Sequence, residues 1–277
     1  MARSGWYDPP HDLRDQLRGC YGHDVEADAT RGDMLAARLT RVPPNPYTGI
    51  IWLIEGEALL VERSGAETAR ALPRVFVCGP SRHGYRSLAA PFYRSFGVVF
   101  QPGALAALAP EVRIDRDAIA DARGALPARL HPWLDNVAAA RSHAERHTIA
   151  VDTLRAQRRS PSPSLTPWSR LALASWRREA RNAVEVMMGW SDRHFRRRAR
   201  AATGLRAVEV ERLLRLEAAL RDARDGASSL AEIAARHGFS DQSHFSREVR
   251  AVLSVTPATA RDRMRDGGSA EDWILRL

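Results

Sequence analysis

Two short stretches near the C-terminal end carry side chains suited to reading a polyanion. Residues 189–197 read Gly-Trp-Ser-Asp-Arg-His-Phe-Arg-Arg, and residues 238–247 read Gly-Phe-Ser-Asp-Gln-Ser-His-Phe-Ser-Arg. Aligned on the phenylalanines, His194-Phe195-Arg196-Arg197 lies over His244-Phe245-Ser246-Arg247, fifty residues on. A guanidinium donates two parallel hydrogen bonds that fit guanine O6 and N7, and a Gln amide fits adenine. Arginines beyond those that meet bases suit phosphate. If Phe195 and Ala199 point into a core, Asp192, Arg193, Arg196, Arg197 and Arg200 lie along the free side. The matching set in the second copy is Gln242, Ser243, Ser246, Arg247 and Arg250. On one isolated helix such a face reads as solvated surface. Two such helices in equivalent positions argue for contact with double-stranded DNA.

The flanking residues specify what must hold these faces. Asn182 to Glu185 and Ser229 to Glu232 have the capping-box form, a short polar residue with Glu three later. Each short helix then stops at a glycine, Gly189 or Gly238. Trp190 or Phe239 follows as a buried apolar residue, and Ser191 or Ser240-Asp241 caps the next helix. The pattern is helix, tight turn, helix, twice. Trp190, Phe195 and Ala199 are expected to seal the first unit, and Ile233, Phe239, Phe245 and Val249 the second. Between them, Arg206–Ala223 reads as one helix with an apolar stripe at Leu213, Leu214, Leu216 and Leu220. Its length of roughly 27 Å approaches the ~34 Å repeat of B-DNA. Thr256 and Pro257 open a last helix.

Composition bounds the alternatives. With 277 residues the chain can build two domains with separate cores. All 42 basic residues are Arg, and the net charge is +9. Residues 160–277 hold 21 Arg against 15 Asp plus Glu, whereas residues 1–159 hold 21 against 18. The excess leans toward the repeat, as contact with a polyanion requires. No apolar run approaches the roughly 18–20 residues of a membrane span, and the N-terminus has no signal-peptide core. A cytoplasmic protein is expected, with no membrane partner. Cys20 and Cys78 are too few for a four-ligand metal site and read as ordinary reduced thiols. No nucleophile elbow, zinc-protease motif or phosphate loop is present, so no catalytic residue, metal or cofactor is called. A repair enzyme that accepts alkyl groups would need a reactive Cys in a recognisable setting, and neither has one. A non-specific architectural DNA protein would bind all sequences alike.

The N-terminal part has a different texture. Pro and Gly recur every few residues from Pro9 to Gly103, between runs of strand character at Met34–Arg41, Ile50–Ile54, Ala58–Glu62, Arg74–Cys78 and Ser95–Phe100. Glu55-Gly56-Glu57 reads as a tight hairpin turn. These features predict a small β-barrel of jelly-roll type. Its histidines, His11, His23 and His83, show no metal-ligand spacing. Amphipathic helices are expected over Pro127–Arg141 and Ser142–Gln157. On the latter, His143 and His147 share a face four residues apart; without a third ligand nearby they are expected at the solvent-exposed surface. Arg158 to Ser164, with Pro167 beyond it, reads as a linker that leaves the flanking domains some freedom to move.

The stretch 230–261, from Leu-Ala-Glu-Ile-Ala-Ala-Arg-His-Gly-Phe-Ser-Asp-Gln-Ser-His-Phe-Ser-Arg through Thr-Pro to Arg261, resembles the signature of AraC/XylS-type transcriptional regulators. Residues 184–220 resemble the first unit of that family, with Ser191, Arg193, His194, Phe195 and Arg197 in its pattern. Three positions depart: Ser254 stands where the family usually has Gly, Val249 where it has Phe, and Ala207 where Pro is common. Gly97–Leu108 together with Phe76–Pro80 resembles the N-terminal domain of one AraC-type subgroup. The resemblance implies an α+β multidomain protein: a β-barrel-like sensor or dimerisation domain over 1–110, a helical connection and Ser/Pro linker over 111–167, and an all-α double helix-turn-helix domain over 168–277. It implies a promoter or operator as partner, recruitment of RNA polymerase, and a small-molecule effector or homodimer contact through the first domain.

Overall fold

The computed structural model describes residues 2–26, 38–63, 66–112, 114–159, 189, 191–226 and 228–265. Residues 158–167, expected to link the domains, lie largely outside this set, as do Asn182 to Glu185 and Trp190.

Strands β1 (Ala2–Tyr7), β2 (Leu17–Glu26), β4 (Thr48–Glu55), β7 (Val75–Cys78), β9 (Phe92–Phe100) and β10 (Ile119–Asp121) form an antiparallel sheet in the order β1-β2-β9-β4-β7-β10. Strands β3 (Leu39–Val42), β5 (Ala58–Arg63), β6 (Ala66–Ala71) and β8 (Tyr85–Ala89) form a second antiparallel sheet in the order β3-β8-β5-β6. The β unit is thus α+β in its setting and jelly-roll-like in its two facing sheets. Strand β4 explains why its run of apolar residues shows no alternation. Ile51 and Leu53 pack with Leu60 and Phe76 between the sheets, while Ile50 and Trp52 pack with Phe96 and Val98 on the opposite face. Both faces are covered, so both sets are apolar.

That opposite face is covered by helices. Helix α1 (Ala104–Leu108) and the short α2 (Ala122–Ala125) precede α3 (His131–Ala139) and α4 (His143–Arg159). Leu130, Trp133, Leu134, Val137, Val151 and Leu154 share one core with the sheet. Trp52 donates through Nε1 to the Leu134 carbonyl at 3.0 Å and meets Trp133 edge to face at 5.6 Å. The stretch expected as a helical connection therefore packs on the β unit. Fully burying Phe96 and Phe100 contributes roughly 2–3 kcal/mol each.

Two expectations need correction. Glu55-Gly56-Glu57 is a tight turn but not a hairpin: β4 and β5 belong to different sheets, and the turn carries the chain across. Gly56 has φ 72°, and a Cβ there would meet the Phe92 carbonyl oxygen at 2.2 Å, so no other residue turns the chain this sharply. His143 and His147 are half-buried against the sheet rather than exposed. His143 donates from Nε2 to Asp24 Oδ1 at 2.9 Å and stacks on Phe96, while His147 stacks on Tyr7. Burial lowers the pKa of His147. Their spacing of four serves packing against the sheet.

The C-terminal part comprises α5 (Asp192–Thr203), α6 (Ala207–Asp225), α7 (Leu230–Arg236), α8 (Gln242–Leu253) and α9 (Pro257–Arg265). Phe195 and Ala199 of α5, the apolar stripe of α6, Ile233 of α7, Phe245 and Val249 of α8 and Met264 of α9 form one core. The two units of the repeat are thus halves of one domain. Val249 is fully buried, and Ala207 occupies the first turn of α6, where Pro is also tolerated. No helix among the described residues is long and apolar enough to cross a membrane.

The two parts are in contact. Leu214 of α6 packs with Trp6, Tyr21, Tyr47 and Val99 of the β unit. Arg18 lies over the Trp6 and Tyr47 rings, 5.6 and 5.8 Å from their centroids, and donates to Glu217 Oε1 at 2.6 Å. Tyr47 donates its hydroxyl to the other Glu217 oxygen. Arg82 pairs with Glu209, and α1 lies against α5.

Candidate nucleic-acid interface

The second unit shows how the local sequence builds a reader helix. Ser229 accepts from the Glu232 backbone N–H at 3.3 Å, and Glu232 Oε2 accepts from the Ser229 N–H at 2.8 Å. This capping box satisfies two otherwise orphaned donors at the start of α7. The Ser229 N–H and hydroxyl hold the Glu232 carboxyl below its ordinary pKa. Helix α7 ends at Gly238, whose φ is 70°. Phe239 then turns inward beside Phe245, with ring centroids 5.1 Å apart. Asp241, rather than Ser240, is the cap of α8: its side chain accepts from the His244 N–H at 2.6 Å. That bond, first among its causes, holds the Asp241 carboxyl below its ordinary pKa.

The first unit repeats this from its turn onward. Gly189 has φ 62°, and Ser191 caps α5 by accepting from the His194 N–H at 3.3 Å. Helices α5 and α8 have 12 residues each and bury Phe195 with Ala199 and Phe245 with Val249 at matching positions. The opposite faces are open. Arg193, Arg196, Arg197 and Arg200 are exposed on α5, as are Gln242, Ser243, Arg247 and Arg250 on α8. Ser246 is half-buried. Asp192 is also half-buried and pairs with Arg196 at 2.6 Å, one helical turn on.

The repeated histidines have diverged. His244 Nδ1 lies 3.3 Å from the Ser240 N–H, and its ring meets Phe239 edge to face at 5.4 Å. It braces the turn. His194 faces two arginines instead: Arg197 Nη2 lies 3.1 Å from Nδ1, and Arg198 Nε lies 3.3 Å from Nε2. A neutral imidazole has one acceptor nitrogen, so it holds one of the two at a time. Arg198 is a fifth exposed arginine of α5 that the outward-face argument did not select. Its tie to His194, one turn back, is the signal that was available.

Helix α8 and the turn before it are held by α6 and by the β unit. Arg212 of α6 pairs with Glu248. Arg215 of α6 lies 4.8 Å over the Phe239 ring. From the β unit, Arg41 donates to the Leu253 carbonyl at 2.9 Å and to Ser254 Oγ at 2.6 Å. Nothing in the sequence pairs Arg41 with a residue 213 positions on. Ser254 itself has φ 59°, which explains why glycine is usual there. The two cysteines lie away from this surface. Burial raises the thiol pKa of both, to about 11 for Cys78, which leaves little thiolate at neutral pH.

A family model described as a helix-turn-helix domain matches residues 186–263. The invasion protein InvF of Salmonella typhi is 35% identical over 69 residues, which are 25% of this chain and 32% of that protein. The same figures hold for InvF of Salmonella typhimurium strain LT2. The chain thus spans about a third of the length of the curated relatives it matches. Among solved structures, ToxT from Vibrio cholerae aligns with TM-score 0.44 at 10% identity, covering 94% of this chain and 98% of that one. The AraC-like transcriptional activator CuxR aligns with TM-score 0.29 at 10% identity, covering 100% and 92%. Residues 186–263, then, match a helix-turn-helix domain.

Proposed function

We propose that the chain is a cytoplasmic, sequence-specific transcription regulator that places α5 and α8 in successive major grooves of a promoter or operator. The observation that carries this reading is the pair of capped helices of equal length, each with a buried Phe and an open polar face, joined by α6. The 19 residues of α6 span about 28 Å, which suits grooves ~34 Å apart. In this reading Arg197 and Arg247 meet guanine edges, Gln242 meets adenine, and Ser243 and Ser246 hydrogen-bond bases or phosphates. Arg193, Arg196, Arg200 and Arg250 neutralise phosphate, and Asp192 orients Arg196. The β unit adjusts this binding through a small-molecule effector or a homodimer contact, and bound protein engages RNA polymerase. What supports a role for the β unit is its contact with both α6 and α8. A shallow, solvent-open cleft of about 40 Å³ also lies there, lined by Pro43, Pro44, Pro46, Leu216, Leu220 and Val252.

Selection of binding sites by the full chain from fully randomised duplexes tests this reading. Two preferred base blocks about one helical turn apart are expected. Equal affinity for every sequence would make the chain an architectural DNA protein instead.

A further inference from the structure

The two reader helices end alike in backbone and differently in chemistry. Helix α5 ends at Gly204 with φ 67° and ψ −10°; α8 ends fifty residues later at Ser254 with φ 59° and ψ 21°. Both N–H groups close the last turn, onto the Arg200 and Arg250 carbonyls at 2.8 and 2.9 Å. Within this chain, therefore, the first copy keeps the residue that the left-handed conformation favours, and the second does not. What serine adds is a hydroxyl, and that hydroxyl is in use: it accepts from Arg41 Nη2 at 2.6 Å. The other guanidinium nitrogen, Nη1, donates to the Leu253 carbonyl at 2.9 Å. One cation thus meets two acceptors at the negative end of the helix.

Arg41 comes from β3, an edge strand of the small sheet. We propose that Arg41 is a positioning residue for DNA reading, through which the β unit sets the tilt of α8 and hence base selectivity at the second half of the site. From Leu253 to Gln242 the helix is a lever of about 16 Å, so a tilt of roughly 5° moves the reader end by about 1.5 Å, beyond hydrogen-bonding tolerance. Helix α5 ends on a glycine that has no side chain for such a grip, and it meets the β unit through α1 instead. A shift of β3, from any cause, would reach the DNA through α8 first. This inference rests on α8 being a reader.

The test selects sites from fully randomised duplexes with the full chain and the variants Arg41→Ala, Ser254→Gly, their double and Arg247→Ala. Arg247→Ala identifies the block that α8 reads. Arg41→Ala is expected to lower selectivity within that block about threefold to tenfold, with the other block and the melting temperature as in wild type. Ser254→Gly should do the same in part, although glycine relieves the backbone, and the double variant should be no worse than Arg41→Ala. If Arg41→Ala fails to melt cooperatively, Ser254→Gly alone carries the comparison. Loss spread evenly over both blocks, or no loss, would overturn the clip while leaving α8 a reader. No effect of Arg247→Ala on either block would instead overturn the reading of α8 and the clip with it.

Discussion

Arg197 and Arg247 occupy equivalent sites but have different surroundings. Arg197 leans on His194, whereas Arg247 stands beside Gln242, Ser243 and Ser246. Replacing either with Ala should cost roughly 1–3 kcal/mol of affinity and relax preference at one base position, as read by competition against single-base variants of a selected site. Equal loss on random DNA would make them phosphate contacts. Asp241 allows a test by pH. Its carboxyl is held below the ordinary value chiefly by the His244 N–H. Its stabilising contribution is therefore complete above the unfolded value, near pH 4, and is lost as pH falls through the folded value. The melting-temperature gap between wild type and Asp241→Asn should be open at neutral pH and close as the solution is acidified below about pH 4. A gap that widens in acid would show that the cap does not titrate as described. These caps were legible in the sequence because they act over three residues. Ser254 was legible as a departure but not as a partner of Arg41, because that bond joins distant parts of the chain.

At the scale of elements, α5 and α8 share a frame and differ in charge. Helix α5 presents Arg193, Arg196, Arg197, Arg198 and Arg200 on its exposed surface, against Arg247 and Arg250 on α8. Each phosphate neutralised lowers the slope of log K against log salt by about 0.9. Removing arginines from α5 should therefore flatten the salt dependence of binding more than removing Gln242 or Ser243 from α8. Equal slopes for both sets of variants would refute this division of labour. The frame itself was legible, since a buried Phe and an open face repeat at the helical period. Parts of the β unit were not. Strand β6, Ala-Glu-Thr-Ala-Arg-Ala, is an exposed edge strand made of helix-favouring residues, and only its pairing to β5 keeps it extended. Strand β2 carries Gly19 and Gly22, which leave room for the Trp6 and His143 rings. Helices α3 and α4 were predicted, but their docking on the sheet depends on Trp52 and Trp133, which are far apart in sequence.

At the scale of the molecule, the junction between the two parts turns on Glu217. One carboxylate accepts from Arg18 and Arg221 on Oε1 and from Tyr47 on Oε2. Burial works against the charge on Arg18, yet Glu217 and then Tyr47 raise its pKa; burial, reinforced by Glu217, raises that of Tyr47. Glu217→Ala would leave the Arg18 guanidinium between two rings without its counter-charge. Breaking a largely buried pair from one side costs about 3–5 kcal/mol, so a marked fall in melting temperature is expected. Tyr47→Phe removes one donor and leaves Arg18 and Arg221 in place, for a loss of roughly 1 kcal/mol. Replacing both partners, as in Arg18→Met with Glu217→Leu, should recover most of the stability lost in Glu217→Ala, because no charge is then stranded. The three melting curves decide the matter: Glu217→Ala as mild as Tyr47→Phe would mean that water reaches Arg18, and that Leu214 in its aromatic recess, rather than the charge cluster, holds the β unit to α6.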